Sequence, residues 1–211
     1  MAWGVRVLAI AASVGLGSNV STTSIELSSV NSIIERTHTT QATYSLVNTN
    51  EIHNGAAIAH EFSAEFNKGD LHRVETPRDR IVTNCRTGWS VHLNVVTGEM
   101  AKGDEVGRMA CGIYVGDVVR SAEITGSRRS PFGLLQGLKI STYSSMRTYE
   151  VAPNGVIVEE TISGLDGQLR LVTKTISLRN QLPDGDIFSE ASLAKSFVSD
   201  DLRKKASDPA D

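Results

Sequence analysis

Residues Leu71 to Glu99 read LHRVETPRDRIVTNCRTGWSVHLNVVTGE. A short charged strand bends at Thr76-Pro77, and a second runs from Arg78 into Cys85. Proline has no amide hydrogen to give to a ladder, so the bend falls there. Arg86-Thr87-Gly88 makes a turn, a period-two strand follows from Trp89 to Val96, and Thr97-Gly98-Glu99 closes it. Strict alternation places Trp89, Val91, Leu93 and Val95 inward and Ser90, His92 and Asn94 outward. These are successive antiparallel strands joined by short turns, and the rest of the chain continues the pattern.

Upstream, Ile58, His60, Phe62, Ala64 and Phe66 fall on one face of a strand, with Ala59, Glu61, Ser63 and Glu65 on the other. That is a half-buried strand with one polar side. Asn67-Lys68-Gly69-Asp70 connects it to Leu71. Downstream, strands are expected at Ala110 to Tyr114, Val118 to Ile124, Gly137 to Thr142, Met146 to Ala152, Val156 to Ser163 and Gln168 to Leu178. Pro153-Asn154-Gly155 and Asp166-Gly167 supply turns between them. The Gly-rich, charged stretch 100–109 and the stretch 126–135 read as long loops, each able to carry a partner surface.

One helix precedes the strands. Thr23-Ser24-Ile25-Glu26 has the capping-box spacing, and Leu27, Val30, Ile33 and Ile34 recur at helical period, so a helix is expected from Ser24 to Arg36. After Leu182-Pro183-Asp184-Gly185, Ile187-Phe188 reads as an apolar plug, and Ser189 caps a short helix through Lys195. The expected fold is mainly β (α+β): a curved antiparallel sheet with an N-terminal helix and a short C-terminal helix on or near its concave face.

Residues 1–18, MAWGVRVLAIAASVGLGS, have a basic residue, an apolar run and small residues before Ser18, the order of a secretory signal. The expected division is 1–18 signal, 19–198 one domain and 199–211 a charged flexible tail, with export to the periplasm. The apolar run is too short to span a bilayer. Two cysteines in an exported chain imply one Cys85–Cys111 disulfide. The formal net charge of −3 supplies no basic footprint for nucleic acid.

No catalytic constellation emerges. The five histidines show no H-x-x-x-H or H-E-x-x-H spacing, so no metal site is expected. Glu159 and Glu160 are neighbours in a strand and point apart. Neither a G-x-S-x-G elbow nor a phosphate-binding Gly-rich loop is present. The chain is therefore read as non-enzymatic and without a cofactor.

Several ordered pieces resemble the outer-membrane lipoprotein carrier family, LolA with its LolB-like and RseB-like relatives. Arg73-Val74-Glu75-Thr76-Pro77-Arg78-Asp79-Arg80 is similar to the family's basic-Pro-basic strand entry. Thr83 to Val91 resembles its turn into an aromatic strand, and Val96-Thr97-Gly98-Glu99 its next turn. Tyr149 to Ile157, then Leu178 to Phe188, resemble its last strands and closing segment. The resemblance implies an unclosed β-barrel with a helical lid over an apolar cavity that shelters a lipid or the acyl chain of a lipidated protein.

On that expectation the apolar positions of the alternating strands line the cavity: Phe62, Phe66, Ile81, Trp89, Val91, Leu93, Tyr149 and Ile157. Leu27, Val30 and Ile34 form the lid. The alternative is an interaction or sensor module on the same scaffold with a filled interior.

Overall fold

A computed structural model describes residues 20–208, without the side chains of 20–27 and 104. The signal reading of 1–18 and the lid role of the Leu27 side chain lie outside what is described. Among these residues no helix is long and apolar enough to cross a membrane.

The chain begins with helix α1, Val20–His38. Its backbone is already helical before Thr23, so the Thr23–Glu26 pattern lies inside the helix. The first meander follows: β1 Tyr44–Asn54, β2 Ala57–Lys68, β3 Leu71–Glu75, β4 Asp79–Asn84, β5 Ser90–Asn94 and β6 Met100–Lys102. A short helix, α2 Asp104–Met109, opens a crossing segment to the second meander. That meander comprises β7 Val119–Ser130, β8 Gly133–Thr142, β9 Ser145–Val151, β10 Ile157–Gly164 and β11 Leu169–Arg179. A 3-10 turn at Glu190–Ala194 and helix α3, Asp200–Ser207, complete the order.

All eleven strands belong to one antiparallel sheet, in the order β6-β5-β4-β3-β2-β1-β11-β10-β9-β8-β7. It is curved and does not close, as expected from the sequence. The seam between the meanders is β1 against β11, in register from Ser45↔Arg179 to Ile52↔Leu171. The edges are β6 and β7, and the crossing segment carries the chain from one to the other.

Two turns of the first meander are built alike. Asn84 and Asn94 each accept two backbone amides on their Oδ1, from Arg86 and Thr87 in one case and from Val96 and Thr97 in the other. Gly88 and Gly98 close the turns at φ 78° and 76°, a region open to glycine at little steric cost.

Several local expectations are corrected. The stretch 100–109 is not a loop: it holds β6, paired with β5, and α2. Residues 110–114 form no strand: the Ala110 and Cys111 amides close the end of α2, Arg147 takes the Tyr114 carbonyl, and α1 takes up the Ile113 backbone. The Ile113 amide donates to Thr37 Oγ1 at 3.0 Å, and the Ile113 carbonyl bonds His38 Nε2 at 3.0 Å. The stretch 126–135 belongs to the β7/β8 hairpin, whose turn is Pro131-Phe132. Gly126 (φ 120°) lies where the register shifts, so it marks a bulge within a strand. The tail is helical from Asp200: Ser199 caps it through the Leu202 amide, and Ala206 is fully buried. Acidic residues in its first turn and lysines in its last suit the helix dipole.

The sheet is covered on both faces. On one, Val47, Phe62, Ala64 and Phe66 pack against Ile187, Val198 and Ala206 of the C-terminal strap. Val82 and Val91 meet Leu193 on the same side. On the opposite face of the second meander, Val30 and Ile33 of α1 pack with Ile113 against Leu138, Ile140, Tyr149 and Val151. The C-terminal segment therefore lies behind the first meander, away from α1.

Candidate ligand cavity

The end of α1 is held from two sides. Gly112 (φ 73°) lies so close that a Cβ there would stand 2.7 Å from the Thr37 carbonyl carbon. Gly155 (φ 87°) ends the β9/β10 turn, where a Cβ would stand 2.2 Å from the Arg36 carbonyl oxygen. Thr40 Oγ1 donates to the Asn154 carbonyl at 2.7 Å, and Arg36 pairs with Gln136. The disulfide anchors the crossing segment: Cys85 and Cys111 are bonded, with 5.6 Å between their Cα atoms.

Between this roof and the sheet lies a cavity of about 390 Å³. Thr37 closes one side, and the segment Met109 to Tyr114 forms much of the roof. The apolar wall includes Val74, Ile81, Ile113, Ile157 and Ile162. The rest of the wall is polar, with Asn48, Glu65, His72, Arg147 and Glu160. Of the three tyrosines that line it, Tyr44 and Tyr149 are almost fully buried and Tyr114 is exposed.

The polar side chains form a network. Tyr44 donates its hydroxyl to Glu65 Oε2 at 3.3 Å, and its ring meets that of His72 edge to face. His72 Nε2 stands 3.5 Å from Glu65 Oε2 but makes no hydrogen bond, although the residue is 5% exposed. Glu160 faces Tyr149 across the β9/β10 ladder. Burial raises the Glu160 carboxyl above the usual carboxylate range; Tyr149 and Arg147 oppose the rise, and the Glu65 charge adds to it. Burial likewise pushes both tyrosine hydroxyls up. Glu159 is engaged by Arg128 Nη2 at 2.7 Å.

Of the sequence-predicted lining, Ile81, Tyr149 and Ile157 reach the cavity. Phe62 and Phe66 do not: they lie on the opposite face, under the C-terminal strap. Val91 and Leu93 pack with Val82 and Leu193, also on that side. Trp89 precedes β5 and is 44% exposed, while Ser90, expected outward, is buried and donates to the Gly103 carbonyl. Val30 is core and Ile34 packs beside it, so α1 contributes Thr37 to the cavity wall in their place. The physical reason is common to these corrections. Alternation identifies an apolar face without saying what covers it. The apolar face of β2 meets the strap, and its polar face, with Glu65, turns to the cavity. The signal for Glu65 and His72 lay in register, which pairs Asn67 with His72 and Glu65 with Val74.

Among the described residues no three His, Cys, Asp or Glu side chains are grouped to hold a metal ion.

No family model and no curated protein matches the chain. Some solved structures are similar to it. An uncharacterized conserved protein from Thermus thermophilus is 13% identical, with a TM-score of 0.52 over 83% of this chain and 97% of that one. A MucA/MucB complex of Pseudomonas aeruginosa is 10% identical to this chain over 72% of it and 56% of that chain, with a TM-score of 0.45. A LolA superfamily protein from Nitrosomonas europaea is 11% identical over 78% of this chain and 99% of that one, with a TM-score of 0.37. At these identities the likeness is one of fold, and the Thermus structure carries it.

Proposed function

We propose that the protein is an exported, non-enzymatic binding protein of the periplasm, which shelters the apolar part of a lipid or of a lipidated protein in this cavity. The observation that carries the reading is the hollow itself. An interior filled with side chains is the ordinary outcome of packing a helix on a sheet. Here about 390 Å³ stays open between the roof and the sheet. That volume falls in the range of small-molecule sites, roughly 300–1,000 Å³. Its aliphatic wall would gain about 0.8 kcal/mol per methylene buried, so holding such a ligand needs no covalent step. The Cys85–Cys111 bond and the apolar run within 1–18 support an oxidising compartment.

Two measurements test it. Mass spectrometry of the purified protein should find co-purifying amphiphile, and 1-N-phenylnaphthylamine should show saturable fluorescence enhancement. Ile81→Trp, which fills the aliphatic wall, should abolish the enhancement while leaving the circular dichroism spectrum intact. An enhancement that survives Ile81→Trp sinks the reading.

A further inference from the structure

The cavity is charged at one end, and its charges are unequal. Glu65 and Glu160 are both in the wall. Arg147 is the cation beside Glu160 and Tyr149. Glu159 is occupied by Arg128. The roof segment Met109 to Tyr114 and Thr37 of α1 bring no charge to the cavity. Arg147, whose Nη1 donates to the Tyr114 carbonyl, is thus one cation against two carboxylates, and Glu65 meets only a tyrosine hydroxyl and the His72 ring. His72 Nε2, 3.5 Å from Glu65 Oε2, is buried in the same wall without a hydrogen bond, as is Arg147 Nε. A buried polar atom left so costs roughly 1–3 kcal/mol, which a ligand group would recover.

We propose that this end of the cavity takes a primary-amine head group, so that the ligand is a cation-headed amphiphile. Its ammonium lies against Glu65, Glu160 and His72, and its aliphatic chain runs along Val74, Ile81 and Ile162. An ammonium carries three N–H donors and no acceptor. Two carboxylates and an imidazole nitrogen, with the ring proton on Nδ1, supply three acceptors. A carboxylate head would instead meet Glu65 at close range, where like charges repel in a medium of low dielectric. A fatty acid is thus the disfavoured ligand of a cavity whose tail-binding wall it would otherwise suit.

The inference rests on the binding reading above, and its test separates the two. The disulfide-intact protein is titrated calorimetrically at neutral pH with decylamine, decanol and decanoate, each kept below micelle formation. Decylamine should bind about tenfold or more tighter than either other ligand, the value of one charge-assisted hydrogen bond. Glu65→Gln should remove about tenfold of the decylamine affinity and leave decanol unchanged. If Glu65→Gln does not fold, Glu160→Gln carries the same expectation. Equal binding of the three ligands, or tighter binding of decanoate, overturns the head-group assignment and leaves the cavity reading standing. Failure of all three to bind overturns both.

Discussion

Arg73 Nε donates to Glu75 Oε1 at 2.8 Å, and neither side chain reaches solvent. They are two apart in β3, on one face, and together they hold the C-terminal strap. Arg73 donates to the carbonyls of Ile187, Ser192 and Lys195 and to Ser192 Oγ. Glu75 accepts from Ser196 Oγ and the Phe197 amide. The guanidinium also lies 4.9 Å from the centre of the Phe197 ring. Every charge is matched, which is the condition for burying a pair at all.

Arg73→Met should therefore be severe. It leaves Glu75 buried without its cation and frees three strap carbonyls. A loss of about 3–5 kcal/mol is expected in urea unfolding. Hydrogen exchange in residues 187–198 should rise more than in β8 and β9. Uniform loss of protection would show that the pair does not act through the strap.

Gly155→Ala should cost well over 1 kcal/mol, because a left-handed backbone is combined with a collision at the Arg36 carbonyl. Gly98→Ala is the control: its φ is 76°, but nothing lies within 4 Å of the added carbon, so only the backbone cost of about 1 kcal/mol remains. Thermal melts of the two variants check the difference. Similar shifts would argue against a tight seat for the end of α1.

Removing the disulfide as Cys85→Ala with Cys111→Ala should lower stability by about 3–4 kcal/mol on the chain-entropy account of its loop. Because this bond ties the roof of the cavity to the end of β4, probe binding should weaken further than stability alone requires. Chemical denaturation and probe titration read the two effects separately.

Glu160 gives a pH dependence with a definite sign. Its carboxyl titrates higher in the folded chain than in the unfolded one. Between those two values the folded state holds more protons, so this contribution to stability falls as pH rises and is fully present below the unfolded value. Glu160→Gln should flatten that part of the stability curve. An unchanged slope would show that Glu160 is not the group responsible.

The antiparallel run of strands and the turn chemistry were legible from residue types alone, since Pro77, Gly88 and Gly155 each do at a turn what their backbones allow; the pairing of β1 with β11 was not. The two turns at Asn84 and Asn94 share the spacing N-x-x-T-G, so their likeness was also present in the sequence. The charged C-terminus misled for a compositional reason, because few apolar residues suggested disorder. Yet Ser199, Asp200, Asp201, Lys204 and Lys205 already spelled a capped helix. The cavity was the least legible. Phe66 and Glu65 are adjacent, and period two says only that they part company. The long-range placement of the strap, secured by Arg73, sends Phe66 to a packed core and Glu65 to the hollow.

The seam of the sheet joins β1 to β11, while every other ladder links strands consecutive in the chain. Each meander can thus zip up by itself from local hairpins, and within the sheet only the ladder along Ser45–Ile52 and Leu171–Arg179 must wait for distant partners. That makes the molecule a natural subject for fragment complementation. Two polypeptides severed within 114–118, beyond the disulfide, should find one another along this seam and rebuild the whole.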